Sequence, residues 1–176
     1  MNERMILGMI TGVAVGIVIV AVLLKLTKSD GSMKCRYDER QTLVRGKGFK
    51  YAFFVLMIYN LLYGMADVAV ISIFVDTYTA MFIGIAVSVS VYASYCIWNE
   101  GYYSLNENPR RVFAVFLILG VINLLLFIQG AASGKVIQDN MLTFRSANLI
   151  CAVVLFLISA ETMVKWKRNR READEI

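Results

Sequence analysis

Between Tyr51 and Trp98 the chain runs for 48 residues with only two charged side chains, Asp67 and Asp76. As one helix that block would be about 72 Å long, more than twice the ~30 Å of a hydrocarbon core. It must therefore cross, turn and return. A break at Asp67 leaves one piece too short and the other too long. A break at "VDTYT", around Asp76, gives about 51–75 and 79–98, both of spanning length. Strict apolar–polar alternation is absent and the runs are far longer than barrel strands, which argues against a membrane β-barrel.

Three more apolar blocks follow the same logic. Ile6–Leu26 carries a single charge, Lys25, at its end, where a lysine can reach the interface. The block is long for a signal-peptide core, the only basic residue before it is Arg4, and "AVLLKLTKS" lacks a small-x-small cleavage site. It reads as a retained helix. Val112–Gly130 starts just after Pro109, a residue suited to a first helical turn. The last block follows Asp139 and Asn140, either a good N-cap, and ends near Trp166. The expected fold is all-α: one membrane domain over 1–176, a polytopic helical bundle. Its five transmembrane helices are placed at about 6–26, 51–75, 79–98, 112–130 and 144–166, with a basic cytoplasmic loop at 27–50.

Charge orients it. With five spans, one side collects Lys25, Lys28, Lys34, Arg36, Arg40, Arg45, Lys47, Lys50, Arg110, Arg111, Lys165, Lys167, Arg168, Arg170 and Arg171, which is 15 of the 18 basic residues. The other side keeps Arg4, Lys135 and Arg145. The positive-inside rule then predicts the N-terminus out and the C-terminus in. Tyr51, Tyr92, Tyr95, Trp98, Tyr102, Tyr103 and Trp166 gather at the inner ends, as an interfacial belt does. A basic inner surface fits an anionic inner leaflet as the partner, at about 1 kcal/mol per Lys or Arg. No nucleic-acid partner is expected.

The 34–50 stretch, "KCRYDERQTLVRGKGFK", has an internal pattern. Asp38 can cap a short helix with Glu39 in its first turn, Leu43 and Val44 beside Arg40 and Arg45 form a small patch, and Gly46 and Gly48 can end it. Asp38, Glu39, Arg40 and Arg45 are the docking candidates of this loop. "YDERQTLVRGKGFKYAFF", Tyr37 to Phe54, resembles the juxtamembrane signature of small, uncharacterised integral membrane proteins of Gram-positive bacteria. Those proteins carry a DERQ-type element, an RGKxFKYA-like stretch and then apolar spans. The resemblance covers about a tenth of the chain. It implies a bacterial plasma membrane and brings no activity and no functional residue.

Inside the spans the polar residues stand out. Tyr59, Tyr63 and Asp67 repeat at four-residue spacing beside Asn60, so they share one stripe. An intramembrane carboxylate costs about 2.5–3.5 kcal/mol and is a functional candidate by default. Arg145 lies at a depth that would let it pair with Asp67 if their helices touch. Asn60 and Asn123 fall near the midplane and can bond across helices. Glu161 precedes Lys165 by four residues, the favourable order for a helix ion pair. Gly8, Gly12 and Gly16 form a GxxxGxxxG packing face, and Ala86, Ser90 and Ser94 form a second small-residue series as a natural partner.

The exclusions are as informative. With no His, imidazole ligands and His-based acid–base chemistry are absent. The three cysteines show no CxxC spacing: Cys96 and Cys151 lie in apolar blocks and Cys35 in the charged stretch. No phosphate loop, GxSxG or HExxH occurs, so neither cofactor nor metal is expected. Three functional classes remain. The first is a non-enzymatic accessory or regulatory subunit, binding a homo-oligomeric or membrane-protein partner through its helices and basic loop. The second is a small oligomeric transporter or channel using Asp67. The third is a membrane-embedded enzyme.

Overall fold

A computed structural model describes residues 3–30, 34–68, 74–134, 136–138 and 141–174, with the side chains of 3–6, 8, 9, 12, 13, 67, 68 and 172–174 outside the description. The protein is all-α. Its helices are α1 (Glu3–Thr27), α2 (Glu39–Val68), α3 (Thr77–Trp98), α4 (Pro109–Ala132) and α5 (Ala147–Asp174). A two-residue hairpin, β1 (Ile137–Gln138) with β2 (Met141–Leu142), and a 3-10 turn at Phe144–Ser146 lead into α5. Four helical stretches, Glu39–Ala66, Thr77–Trp98, Pro109–Ala132 and Phe144–Arg171, are long and apolar enough to cross a membrane; Ala14–Thr27 of α1 is apolar but shorter.

The turn in the 48-residue block lies where the charge pattern puts it. Asp76 is the N-cap of α3, its carboxylate accepting from Thr79 N–H at 2.6 Å. Pro109 opens α4 behind the N-cap Asn108, whose Oδ1 accepts from Arg110 and Arg111 N–H. Residues 39–50, by contrast, are not a loop. They form the first turns of α2, which continues past Gly46 and Gly48 without a break. Asp38 starts that helix by accepting Gln41 N–H at 2.6 Å. Gly48 serves contact instead of termination: a methyl group there would lie 3.0 Å from Cys96 Sγ and 3.2 Å from the Tyr92 ring on α3.

The packing order is α2–α3–α5–α4–α1. Large apolar side chains such as Phe53, Met57, Leu61, Ile118, Leu125 and Val153 point outward and are exposed. The buried set is small: Ala52, Ala80, Ala93, Cys96, Ser88, Ala152 and Thr162, with Ile97 and Ile158 among the few larger members. A water-soluble protein does not show so much apolar surface. In lipid it is the expected distribution, because helices there associate by close approach and interhelical hydrogen bonds and not by expelling water. Ser88 Oγ donates to Ala52 O at 2.8 Å and Tyr59 Oη to Ala80 O at 2.7 Å, joining α2 to α3. Gly84 faces the Tyr59 ring, and Gly120 on α4 faces Phe156 on α5.

The expected glycine face is different. Gly16 has nothing within 4 Å of its missing side chain, and the side-chain positions of Gly8 and Gly12 lie outside the described residues. The main neighbour of α1 is α4 and not α3, the helix that carries Ala86, Ser90 and Ser94. The glycines that do bring helices together, Gly48, Gly84 and Gly120, lie in no repeat.

Candidate functional site

The C-terminal ends of α1, α3 and α5 and the N-terminal ends of α2 and α4 meet at one end of the bundle. Residues 27–30 and 34–38 are laced to the α3–α4 connection: Ser29 N–H donates to Asn106 O at 2.9 Å, Leu105 N–H to Arg36 O at 2.8 Å and Asn108 N–H to Thr27 O at 3.0 Å. Asn106 is the hub. Its Nδ2 donates to both Asp30 carboxylate oxygens and to Lys34 O, and its Oδ1 accepts from Arg36 N–H and Ser104 Oγ.

Beneath this lacing lies a buried cation. The Lys28 side chain is 0% exposed and its Nζ contacts Glu107 Oε1 at 2.9 Å, Ser104 Oγ at 3.1 Å and Cys35 Sγ at 2.8 Å. Glu107 Oε2 accepts Ser104 N–H at 2.9 Å. Burial opposes the Lys28 charge, but the hydrogen bonds to Cys35 and Glu107 outweigh it and raise its pKa. Burial, then the hydrogen bond to Cys35, drive the Tyr37 hydroxyl far above its ordinary value, against the pull of Arg45.

Arg45 of α2 lies over the Tyr37 ring, 4.1 Å from its centroid, and over the Tyr92 ring at 5.7 Å. Its Nη1 reaches Tyr102 O at only 3.5 Å, and it has no ion pair among the described residues. A cavity of about 360 Å³ opens beside it. Cys35, Tyr37, Arg45, Tyr92, Tyr102 and Glu107 line one end; Val20, Leu23 and Leu24 of α1 and Val112, Val115, Phe116 and Leu119 of α4 line the rest.

A second, larger concavity runs between α3 and α5. It measures about 810 Å³ and is almost wholly apolar, with Ala86, Ser90 and Ser94 on one wall and Ile150, Val153 and Leu157 on the other.

The candidates read from the sequence fall as follows. Asp38 caps α2, and Glu39 is exposed in its first turn. Arg40 donates to Asn99 O and to Glu100 Oε2, both at 3.0 Å. Glu100, not singled out by sequence, adopts φ 61° beyond α3 and also meets Lys165 Nζ at 3.4 Å, so it joins α2 to α5. The hydrogen bond from Arg40, then the charge of Lys165, lower its pKa. Lys165 therefore does not pair with Glu161, whose Oε1 accepts from Ser94 Oγ at 2.8 Å while Oε2 is buried with no partner among the described residues. Asn60 and Asn123 donate to Leu56 O and Leu119 O of their own helices, not across them. Tyr63 stacks on Tyr59. Arg145 is exposed, in the 3-10 turn; the Asp67 backbone is in the last turn of α2, and its side chain lies outside the description, as does the proposed pair.

The Lys28–Glu107 pair and the Arg45 stack left little trace in sequence. Glu107 lies 79 residues from Lys28, and Arg45 meets Tyr37 from its own stretch but Tyr92 from another helix; charged residues near a membrane surface look alike until the chain is folded. No protein family, curated protein or solved structure matches the chain.

Proposed function

We propose that this is a five-span protein of a bacterial plasma membrane, N-terminus out and C-terminus in, serving as a non-enzymatic accessory subunit whose α3–α5 groove receives a helix of a membrane partner. The threading is supported by charge: the segments rich in Lys and Arg gather at one end of the bundle, the end that the positive-inside rule assigns to the cytoplasm. The resemblance of Tyr37–Phe54 supports the bacterial setting.

The groove carries the docking reading. Small residues on α3 let a neighbouring backbone approach closely, and Ser90 Oγ donates to Ala86 O and Ser94 Oγ to Glu161 Oε1, so neither serine hydroxyl is stranded when the groove fills. The basic stretch contributes less than its charge suggests. Asp38 and Arg40 are spent on α2's own cap and on contacts to the α3–α4 connection.

A photo-crosslinking side chain at Val87 or Val153, both lining the groove, should give a discrete protein adduct in intact membranes. Val153→Trp should abolish the adduct made from position 87, and Val121→Trp on exposed α4 should not. Adducts to lipid alone at both positions would overturn the docking reading. A cysteine at Ser133, at the C-cap of α4, should label from outside in a background lacking the native cysteines; labelling only after permeabilisation would overturn the threading.

A further inference from the structure

We propose that the cavity between α1 and α4 is a binding site for one phospholipid with an anionic phosphate headgroup, the phosphate held by Arg45 and an acyl chain laid along α4. The cavity is amphiphilic in the order that a lipid requires. Its polar residues cluster at the end where α1 finishes and α2 and α4 begin. Its apolar wall then extends from Val112 to Leu119, about 10 Å along α4, with Val20 and Leu24 facing it from α1. Its volume of about 360 Å³ lies within the ordinary range of small-ligand sites, about 300–1,000 Å³.

Charge decides which headgroup. Glu107 lines the cavity, but its oxygens are engaged by Lys28 at 2.9 Å and by Ser104 N–H at 2.9 Å, so its charge is compensated locally. Arg45 is not compensated. It is half-buried, held over Tyr37, and left with unused N–H donors, since its hydrogen bond among the described residues is 3.5 Å long. The buried Tyr92 hydroxyl, also on the lining, has among the described residues only the Cys96 thiol as a partner, a weak acceptor that a phosphate oxygen outcompetes. A fixed guanidinium with free donors beside a phenol fits phosphate oxygens. A zwitterionic headgroup would bring its own cation into an end that already holds one uncompensated positive charge. This site is separate from the α3–α5 groove and stands whether or not that groove docks a partner.

The probe is a phosphatidylglycerol carrying a diazirine on one acyl chain, in vesicles otherwise of phosphatidylcholine, with the full-length protein. Adducts should map to Val115, Phe116 or Leu119, and unlabelled phosphatidylglycerol should compete while phosphatidylcholine does not. Loss of the charge-assisted bonds in Arg45→Gln should weaken retention about tenfold or more, whereas exposed Lys47→Gln should cost much less. Val115→Phe fills the groove without touching the cation and should lower retention in a protein that still elutes as wild type, so a misfolded Arg45→Gln does not end the test. Competition by soluble glycerol phosphate at equal concentration would reassign the site to free phosphate esters and overturn the lipid. Equal losses in Arg45→Gln and Lys47→Gln, or full retention in Val115→Phe, would overturn it too.

Discussion

Gly84→Ala tests the claim that close approach, not apolar burial, joins α2 to α3. A methyl group on Gly84 would sit 2.5 Å from Cδ1 and 2.7 Å from Cε1 of Tyr59, where carbon atoms at rest stand about 3.5–4.0 Å apart. The ring must withdraw by about 1 Å. It is not free to do so, because its hydroxyl donates to Ala80 O at 2.7 Å, and the same displacement takes that bond outside hydrogen-bonding range. Overpacking costs about 1–3 kcal/mol and the lost bond about 0.5–1.5 kcal/mol. Alanine's better helix propensity returns up to about 1 kcal/mol. With the full propensity gain returned, the net loss is about 0.5–3.5 kcal/mol. Gly16→Ala, with nothing within 4 Å, should be neutral or stabilising by up to about 1 kcal/mol. The assay is reversible unfolding in mixed micelles. In a Tyr59→Phe background the ring is untethered, and part of the Gly84→Ala loss should disappear, a coupling that the double-mutant cycle reads directly. Gly84→Ala within about 0.5 kcal/mol of Gly16→Ala would refute the reasoning.

Two further outcomes follow from the polar groups at either end. Lys28→Met leaves Glu107, 12% exposed, without its partner and should cost about 3–5 kcal/mol in the same unfolding assay, with Lys28→Met/Glu107→Gln recovering much of it; equal stability of single and double variants would show that the pair is not the source. Burial raises the pKa of Asp76, but hydrogen bonds from Thr79, Phe144 and Tyr78 outweigh it and lower the value. Its stabilising effect is therefore complete above the unfolded value of about 4 and is lost as pH falls through the lower, folded value. Asp76→Asn should flatten the pH dependence of stability below about pH 4. The new amide oxygen still caps Thr79 N–H but the NH2 cannot accept from Phe144 N–H, so the neutral-pH loss should be about 0.5–1.5 kcal/mol, that of one hydrogen bond.

How much of this was legible depends on whether the signal is local. A helix needs no distant partner to satisfy its backbone, so the apolar blocks of 51–98 and 112–130, the break near Asp76 and the start at Pro109 were readable in order along the chain. The α2 start was misread for the same reason. Gly46 and Gly48 look like a stop, and only the Cys96 and Tyr92 surfaces of α3, nearly 50 residues away, turn Gly48 into a contact. Polar residues behaved likewise. Asn60 and Asn123 suggested cross-helix bonds, yet each found the carbonyl one turn back in its own helix, the nearest acceptor to an amide in a dry setting.

By itself the sequence determined that the chain is an all-α protein made of long apolar helices with its basic charge gathered in alternate connections, because helix periodicity, hydrophobic length and charge are properties of contiguous residues. Tertiary structure alone decided which of those residues meet. It set the order α2–α3–α5–α4–α1, it sank Lys28 against Glu107 and Cys35, and it left Arg45 over Tyr37 beside an open cavity. Within a membrane every helix face is comparably apolar, so the choice of neighbour rests on the fit of small residues and a few hydrogen bonds. Those terms exist only between surfaces already brought together.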